Sequence, residues 1–296
     1  MSGYRSGFAA IIGCPNVGKS TLLNRLIGQK VAIVTDRAQT TRNRITGVLT
    51  REGYQIVFLD TPGVTEPKNR LGEYMRQTAF DATNEVEAIL FVTDALAGLG
   101  RRDEALMQRL NRAAPPVFAL INKCDAAAEA RIAAMETRLR DSRQFEEVLR
   151  VSAKTGENLD RLETLLCGCL TEGPQYFPED MVTDQPERVI CAELIREKAL
   201  SLLREEVPHG IGVSIDKLSL REDRALYDLY ATIYCERDSH KAIIIGKGGR
   251  TLKAVGTQAR KDIEWLLGQP VNLQLWVKVS EDWRNRESVL RELGYT

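Results

Sequence analysis

Between the apolar run 8–12 (FAAII) and a helical pattern carried by Leu22, Leu23 and Leu26 stands Gly13-Cys14-Pro15-Asn16-Val17-Gly18-Lys19-Ser20. No other stretch narrows the fold of this chain as much. The spacing G-x-x-x-x-G-K-S, set where a buried strand turns into a helix, is that of a phosphate-cradling loop. Glycines let the backbone wrap phosphate oxygens, the loop N–H groups point inward, and the helix N-terminus adds a favourable dipole. The candidate phosphate-side residues are Gly13, Asn16, Val17, Gly18, Lys19, Ser20 and Thr21. Lys19 would reach the β- and γ-phosphates, and Ser20 would bind Mg²⁺.

Further apolar runs lie at 55–59, 88–93 and 116–121, with a short one at 148–151, and they alternate with helical patterns around 72–84, 102–112, 129–142 and 158–170. Strands apolar throughout, alternating with helices, predict an α/β domain with a mostly parallel sheet covered on both faces. The alternation stops near Leu170. Residues 171–187 hold three prolines among polar and acidic residues, which reads as a linker. A second, α+β unit follows: helix 187–206, strands 211–219 and 227–236, a strand edge at 242–245, helix 249–267, strand 271–279 and a short helix over 282–293. The expected organisation is a nucleotide domain over 1–172, a linker over 173–187 and a second domain over 188–296.

Three more segments follow apolar strands of the first domain. Asp60-Thr61-Pro62-Gly63 places a carboxylate to hold a Mg²⁺ shell through water and a glycine N–H to sense a γ-phosphate. Asn122-Lys123-Cys124-Asp125 selects the base: a carboxylate only accepts hydrogen bonds, and guanine offers two adjacent donors where adenine offers neither. Asp125 therefore favours guanine, Asn122 supports the loop, and the stem of Lys123 covers the base face. Ser152-Ala153-Lys154 fits a backbone contact to the guanine carbonyl. The loop 35–42 supplies a hydroxyl that closes onto Mg²⁺ when a γ-phosphate is present; Thr41 is the candidate, with Thr40 the alternative. GTP and GDP are thus the expected ligands, Lys19, Thr41 and Gly63 the candidate catalytic residues, and Ser20, Thr41 and Asp60 the candidate metal residues. Where many GTPases carry a water-positioning Gln, this chain has Val64, whose apolar side chain cannot hold water.

In the second unit, Gly246-Lys247-Gly248-Gly249 follows three isoleucines and opens an amphipathic helix. Gly-x-x-Gly in that setting is the backbone clamp of KH domains. Lys241, Lys247, Arg250, Lys253, Arg260 and Lys261 surround it with no Asp or Glu between them, a local basic patch on a chain that balances 41 basic against 41 acidic residues. The candidate RNA-binding residues are Lys241, Gly246, Lys247, Gly248, Gly249, Arg250 and Lys253. Trp276 is read as a sheet-face residue rather than a base-stacking platform. No apolar run reaches the roughly 18 residues of a membrane span, and the start lacks a signal-peptide core. Together with six cysteines at spacings that suit no zinc site, this reads as a cytoplasmic protein with free thiols.

The motif set, with Gln39-Thr40-Thr41-Arg42 beside the phosphate loop and Leu275-Trp276-Val277-Lys278-Val279 near the end, resembles the Era family of GTPases over both domains. That resemblance implies a P-loop GTPase domain followed by a type II KH domain. It also implies hydrolysis of GTP, binding of small-subunit ribosomal RNA near its 3′ end, and assistance to assembly of the small ribosomal subunit. It further implies a monomer with peripheral contact at the inner face of the cell membrane, and a K⁺ ion coordinated by Asn16. Val64 is typical of the Era-like group. Two alternatives stand beside this reading: an RNA-binding scaffold in which hydrolysis is incidental, and a GTPase of tRNA modification or membrane transport.

Overall fold

The computed structural model describes residues 3–37, 39–111, 113–203, 207–221 and 223–295. The chain forms two compact units. One takes the residues up to Ala32, 41–67 and 75–184; the other takes 33–40, 68–74 and 185 onward.

The first unit is built on strands β1 (Arg5–Gly13), β2 (Ile45–Arg51), β3 (Tyr54–Asp60), β4 (Ala88–Asp94), β5 (Val117–Asn122), β6 (Glu147–Arg150) and the two-residue β7 (Thr171–Glu172). Their order is β2-β3-β1-β4-β5-β6, with β7 pairing β1. Strands β3, β1, β4, β5 and β6 are parallel, whereas β2 and β7 run antiparallel to their partners. Successive residues of each central strand enter opposite cores. Ile11, Leu90 and Leu120 join one, and Ile12, Phe91 and Ile121 the other. Both faces are therefore apolar, and helices α1 (Lys19–Ile27), α2 (Arg70–Asp81), α3 (Arg101–Leu110), α4 (Glu129–Asp141) and α5 (Leu159–Cys169) fall between the strands in sequence.

Strand β2 is absent from the sequence reading. It is an edge strand interrupted by Gly47, where a Cβ would lie 2.5 Å from Leu23 Cδ1. The close approach of α1 explains the glycine, and the glycine hides the strand. Residues 173–184, linker-like in composition, are laid along this unit. Ser6 Oγ donates to the Pro174 carbonyl at 2.7 Å, the Gln55 amide holds the backbone at Tyr176 and Phe177, and Val48 N–H donates to the Val182 carbonyl at 2.9 Å.

The second unit contains α6 (Glu187–Leu202), β8 (Gly212–Arg221), β9 (Leu226–Cys235), α7 (Asp238–Ile245), α8 (Arg250–Leu267), β10 (Val271–Val279) and α9 (Glu287–Glu292). Its sheet runs β10-β9-β8, with β9 antiparallel to β8 and parallel to β10. Leu229, Ala231 and Ile233 face the core, while Tyr230 and Trp276 meet edge to face on the other side. Trp276 is thus a sheet-face residue. The expected strand edge at 242–245 is the last turn of α7. Asp238 sits in its first turn, only Ile244 of the three isoleucines is buried, and Gly246 (φ 73°) ends it. A run of four apolar residues does not distinguish strand from helix. Helix α6 is described to Leu202, and positions 204–206 of the expected helix lie outside the described residues. It buries Cys191, Leu194, Ile195, Arg196, Glu197, Ala199 and Leu200, so it is enclosed around most of its girth rather than one-sided.

Candidate nucleotide and nucleic-acid sites

The nucleotide-side residues gather at the C-terminal ends of β1, β3, β5 and β6, where β1 stands between β3 and β4 and the order of connection reverses. Gly18 adopts φ 98°, and a Cβ there would lie 2.3 Å from Asn122 Nδ2, so only glycine fits. Lys19 is 6% exposed, and its ammonium donates to the Gly13 and Cys14 carbonyls at 3.2 and 3.0 Å. Burial pulls its pKa down, opposed by the charge of Asp60. This cation, curled back on the loop that phosphates would fill, is poorly solvated and suited to exchange carbonyls for phosphate oxygens.

Beside it, Ser20 Oγ donates to Asp60 Oδ2 at 2.7 Å and lies 2.8 Å from Thr41 Oγ1, which is itself 3.5 Å from Asp60 Oδ2. Thr40 is turned elsewhere: its hydroxyl donates to the Arg37 carbonyl and lies 2.7 Å from Thr35 Oγ1. Of the two threonines, then, Thr41 shares the cluster. Burial pushes the Asp60 carboxyl up to about 6, against the lowering influence of Lys19 and the two hydroxyls. Its Oδ1 is buried without a hydrogen-bond partner. A cluster of hard oxygen donors around an unsatisfied carboxylate oxygen fits a Mg²⁺ ion. Thr61 anchors the next residue by donating to the Ile11 carbonyl at 2.7 Å. Gly63 is tight on the phosphate loop, where a Cβ would lie 2.8 Å from Pro15 Cα. Val64 N–H donates to the Gly13 carbonyl at 3.1 Å, and its side chain packs on the core.

On the base side, Asn122 is 1% exposed and joins three segments. Its Nδ2 donates to the Val17 carbonyl at 2.8 Å, and its Oδ1 accepts from Ala153 N–H at 2.9 Å. A base carbonyl at Ala153 would share that donor. Lys123, in the left-handed region at φ 66°, sends its ammonium to the Asn16 carbonyl and to Asp94 Oδ2, both at 2.7 Å. The following 3₁₀ turn (Cys124–Ala126) leaves Asp125 exposed, with Oδ1 accepting from the buried Ser152 hydroxyl at 2.6 Å. Lys154 is exposed. Asp94 escaped the sequence reading, because an acid at a strand end carries no motif of its own.

In the second unit, Gly246, Gly248 and Gly249 all have positive φ. A Cβ on Gly246 would lie 2.3 Å from Thr251 Oγ1, whereas Gly248 and Gly249 open onto free space. Lys247, Arg250 and Lys253 are exposed around them, and Lys241 is half-buried. A groove of about 400 Å³ runs from Gly249 between α8 and β10. Leu252, Gly256, Leu273 and Leu275 give it an apolar floor, and Lys253 and Arg260 line it. The sequence reading found the turn and the bases but missed the floor. Gly256, a glycine within a helix, was the available signal.

Two parts of the chain match known families: residues 8–123 the family described as 50S ribosome-binding GTPase, and residues 206–284 the KH domain. The GTPase Era of Alkaliphilus metalliredigens is 50% identical over 99% of both chains. The chain belongs to the Era family of GTPases. The Era of Clostridioides difficile is 49% identical, again over 99% of both chains. Among solved structures, an Era bound to MgGDPNP and nucleotides 1506–1542 of 16S ribosomal RNA is 42% identical, with TM-score 0.95 over 99% of both chains. Aquifex aeolicus Era bound to GDP·AlF₄⁻ is also 42% identical, with TM-score 0.94 over 99% of both chains. This Era protein is therefore a guanine-nucleotide-binding GTPase with a C-terminal KH domain. Among the described residues, no helix is long and apolar enough to cross a membrane.

Proposed function

We propose that this Era GTPase binds the 3′ end of small-subunit ribosomal RNA in its KH groove, releases or retains it according to the bound nucleotide, and so assists small-subunit assembly in the cytoplasm. The observation that carries the reading is the groove. Gly-x-x-Gly presents bare backbone at one end, an apolar floor offers base-sized contacts, and Lys253 and Arg260 lie where phosphates would pass. The 16S ribosomal RNA fragment bound to an Era of the same fold supports the choice of RNA.

In the nucleotide domain the proposed division of labour follows the geometry. The Ser20 and Thr41 hydroxyls and, through water, Asp60 would hold Mg²⁺, which neutralises charge on the β- and γ-phosphates when bound. Lys19 compensates phosphate charge, the Gly63 N–H reports the γ-phosphate, and Asp125 reads the base. Val64 holds no water, so intrinsic hydrolysis is slow, on the order of 10⁻⁴ to 10⁻² per second.

The test is titration of a labelled oligonucleotide of the small-subunit RNA 3′ end, against a scrambled one, with GTP analogue, GDP or no nucleotide. Preference for the true sequence and a dependence on nucleotide state are expected. Affinity that ignores nucleotide state would favour the scaffold alternative; equal affinity for both sequences would remove the proposed RNA. A second expectation concerns Asn16, held in the left-handed region at φ 64° within the phosphate loop. With K⁺ as a cofactor there, hydrolysis runs faster in potassium than in sodium at equal ionic strength, and equal rates in stopped assays would eliminate the ion.

A further inference from the structure

Asp94 ends β4 beside the end of β5. It is in register with Asn122, and the N–H of its successor, Ala95, donates to the Asn122 carbonyl at 2.9 Å. The Asp94 carboxylate has two partners. Oδ1 accepts from Leu96 N–H at 2.8 Å, an Asx turn that starts the loop after the strand. Oδ2 accepts from the Lys123 ammonium at 2.7 Å, and the same ammonium donates to the Asn16 carbonyl, also at 2.7 Å. The Lys123 stem runs past the phosphate loop, since a Cβ on Gly18 would lie 4.0 Å from Lys123 Cε. All of these groups belong to the first unit.

Two features mark this carboxylate as more than a turn former. An Asn would accept from Leu96 N–H as well as an Asp does. What only the acid supplies is charge, and that charge meets the Lys123 ammonium. The pair is also shielded without being sealed: the Asp94 side chain is 14% exposed and that of Lys123 31%. A lysine ammonium is strongly hydrated and rides on a flexible stem. With the Asn16 carbonyl alone, water competes for it. A carboxylate opposite that carbonyl fixes the head from both sides, and with it the stem read as covering the base. The stem is then ordered before a nucleotide arrives rather than on its arrival.

We propose that Asp94 is a positioning residue for guanine-nucleotide binding: it holds the Lys123 ammonium against the Asn16 carbonyl, so that the Lys123 stem is pre-set over the base. This rests on the reading of Lys123 as the residue that covers the base face. Losing the hold loosens the base end of every guanine nucleotide. GDP and GTP are therefore affected alike, mainly through faster dissociation, and the loss is expressed through Lys123 alone.

The experiment compares the full-length parent with Asp94→Asn, Lys123→Met and the two combined. It measures affinity and dissociation rate for GDP and for GDPNP with Mg²⁺, single-turnover hydrolysis at saturating GTP, and thermal unfolding without nucleotide. A charge-assisted hydrogen bond sets the scale, reduced here by partial exposure, so Asp94→Asn is expected to bind both nucleotides about tenfold more weakly and to release them correspondingly faster. Hydrolysis at saturation changes by less than about twofold, a split between binding and chemistry that general damage to the site would not give. Lys123→Met keeps an unbranched stem without the ammonium and is expected to lose at least as much affinity. In that background Asp94→Asn adds less than about twofold. The unfolding temperature of Asp94→Asn matches the parent, since the Leu96 bond is kept. Should Asp94→Asn fail to fold, Asp94→Ser, whose hydroxyl also accepts in such a turn, carries the decision. Parent-like affinity in the Asp94 variant beside a loss in Lys123→Met would overturn the proposal, as would a loss confined to one nucleotide or losses that add in the double variant. A Lys123→Met protein that binds both nucleotides as the parent does would overturn the Lys123 reading beneath it.

Discussion

Asp125→Asn is expected to weaken GTP binding by about a hundredfold or more and to move preference toward xanthine nucleotides. Two hydrogen bonds to a charged acceptor are at stake, each contributing roughly 1.5–3 kcal/mol. The surroundings make the substitution clean. Asp125 is exposed at the tip of a 3₁₀ turn, so the change creates no cavity, and Asn can still accept the Ser152 hydroxyl bond now made at 2.6 Å. What the amide loses is the second acceptor, replaced by a donor that meets the guanine amino group head-on. Xanthine carries a carbonyl at that position and turns the clash into a bond. Calorimetric titration with GTP and XTP on one preparation decides the matter. Unchanged GTP affinity would remove Asp125 from the base site.

The RNA clamp gives the second large effect. A protein carrying both Lys247→Asp and Gly248→Asp is expected to lose about a hundredfold or more in RNA affinity at low salt, with its salt dependence flattened by about one unit of slope. Two negative charges appear and one positive charge leaves where the backbone of a nucleic acid must approach. The loop should tolerate the change. Lys247 and Gly248 are exposed, and a Cβ at Gly248 meets nothing within 4 Å. The left-handed φ of 59° at Gly248 is one that Asp adopts more readily than most residues. GTP affinity and intrinsic hydrolysis should match the parent, because Lys19, Ser20, Thr41, Asp60, Asn122 and Asp125 all lie in the first unit. Gel shifts at several salt concentrations, with GTP turnover on the same sample, provide the check. Parent-like RNA affinity would refute the KH assignment of the groove.

What could be read from residues alone follows from the range over which each signal acts. The phosphate loop and Asn122-Lys123-Cys124-Asp125 were legible because each sits within a few residues of the apolar strand that positions it. Guanine selectivity was expected from the acceptor chemistry of one carboxylate, and the guanine nucleotides bound to solved Era structures agree with the ligand class. The Gly-x-x-Gly turn was legible for the same local reason. Strand β2 was not, since Gly47 answers to Leu23 on α1, a neighbour in space only. Nor was α7, where a short apolar run reads as a strand until the acidic first-turn residue Asp238 and the stop at Gly246 are weighed together. The choice between Thr40 and Thr41 turned on which hydroxyl the folded loop aims at Ser20. Arg196 and Glu197 were invisible because a charged pair inside a helix normally signals a solvated face. Only folding reveals that it is buried against a loop more than 150 residues away in sequence, as in the Arg196 to Thr40 bond.

Asn122 carries a consequence of its own. One primary amide spans from the carbonyl of Val17, in the proposed phosphate loop, to the N–H of Ala153, on the proposed base side. Together with Lys123, whose ammonium reaches the Asn16 carbonyl at 2.7 Å, it fastens the proposed phosphate side to the proposed base side. Displacing the base side is therefore expected to loosen the phosphate side, and the reverse. On that reading, a factor that promotes GDP release would need to act on one side only.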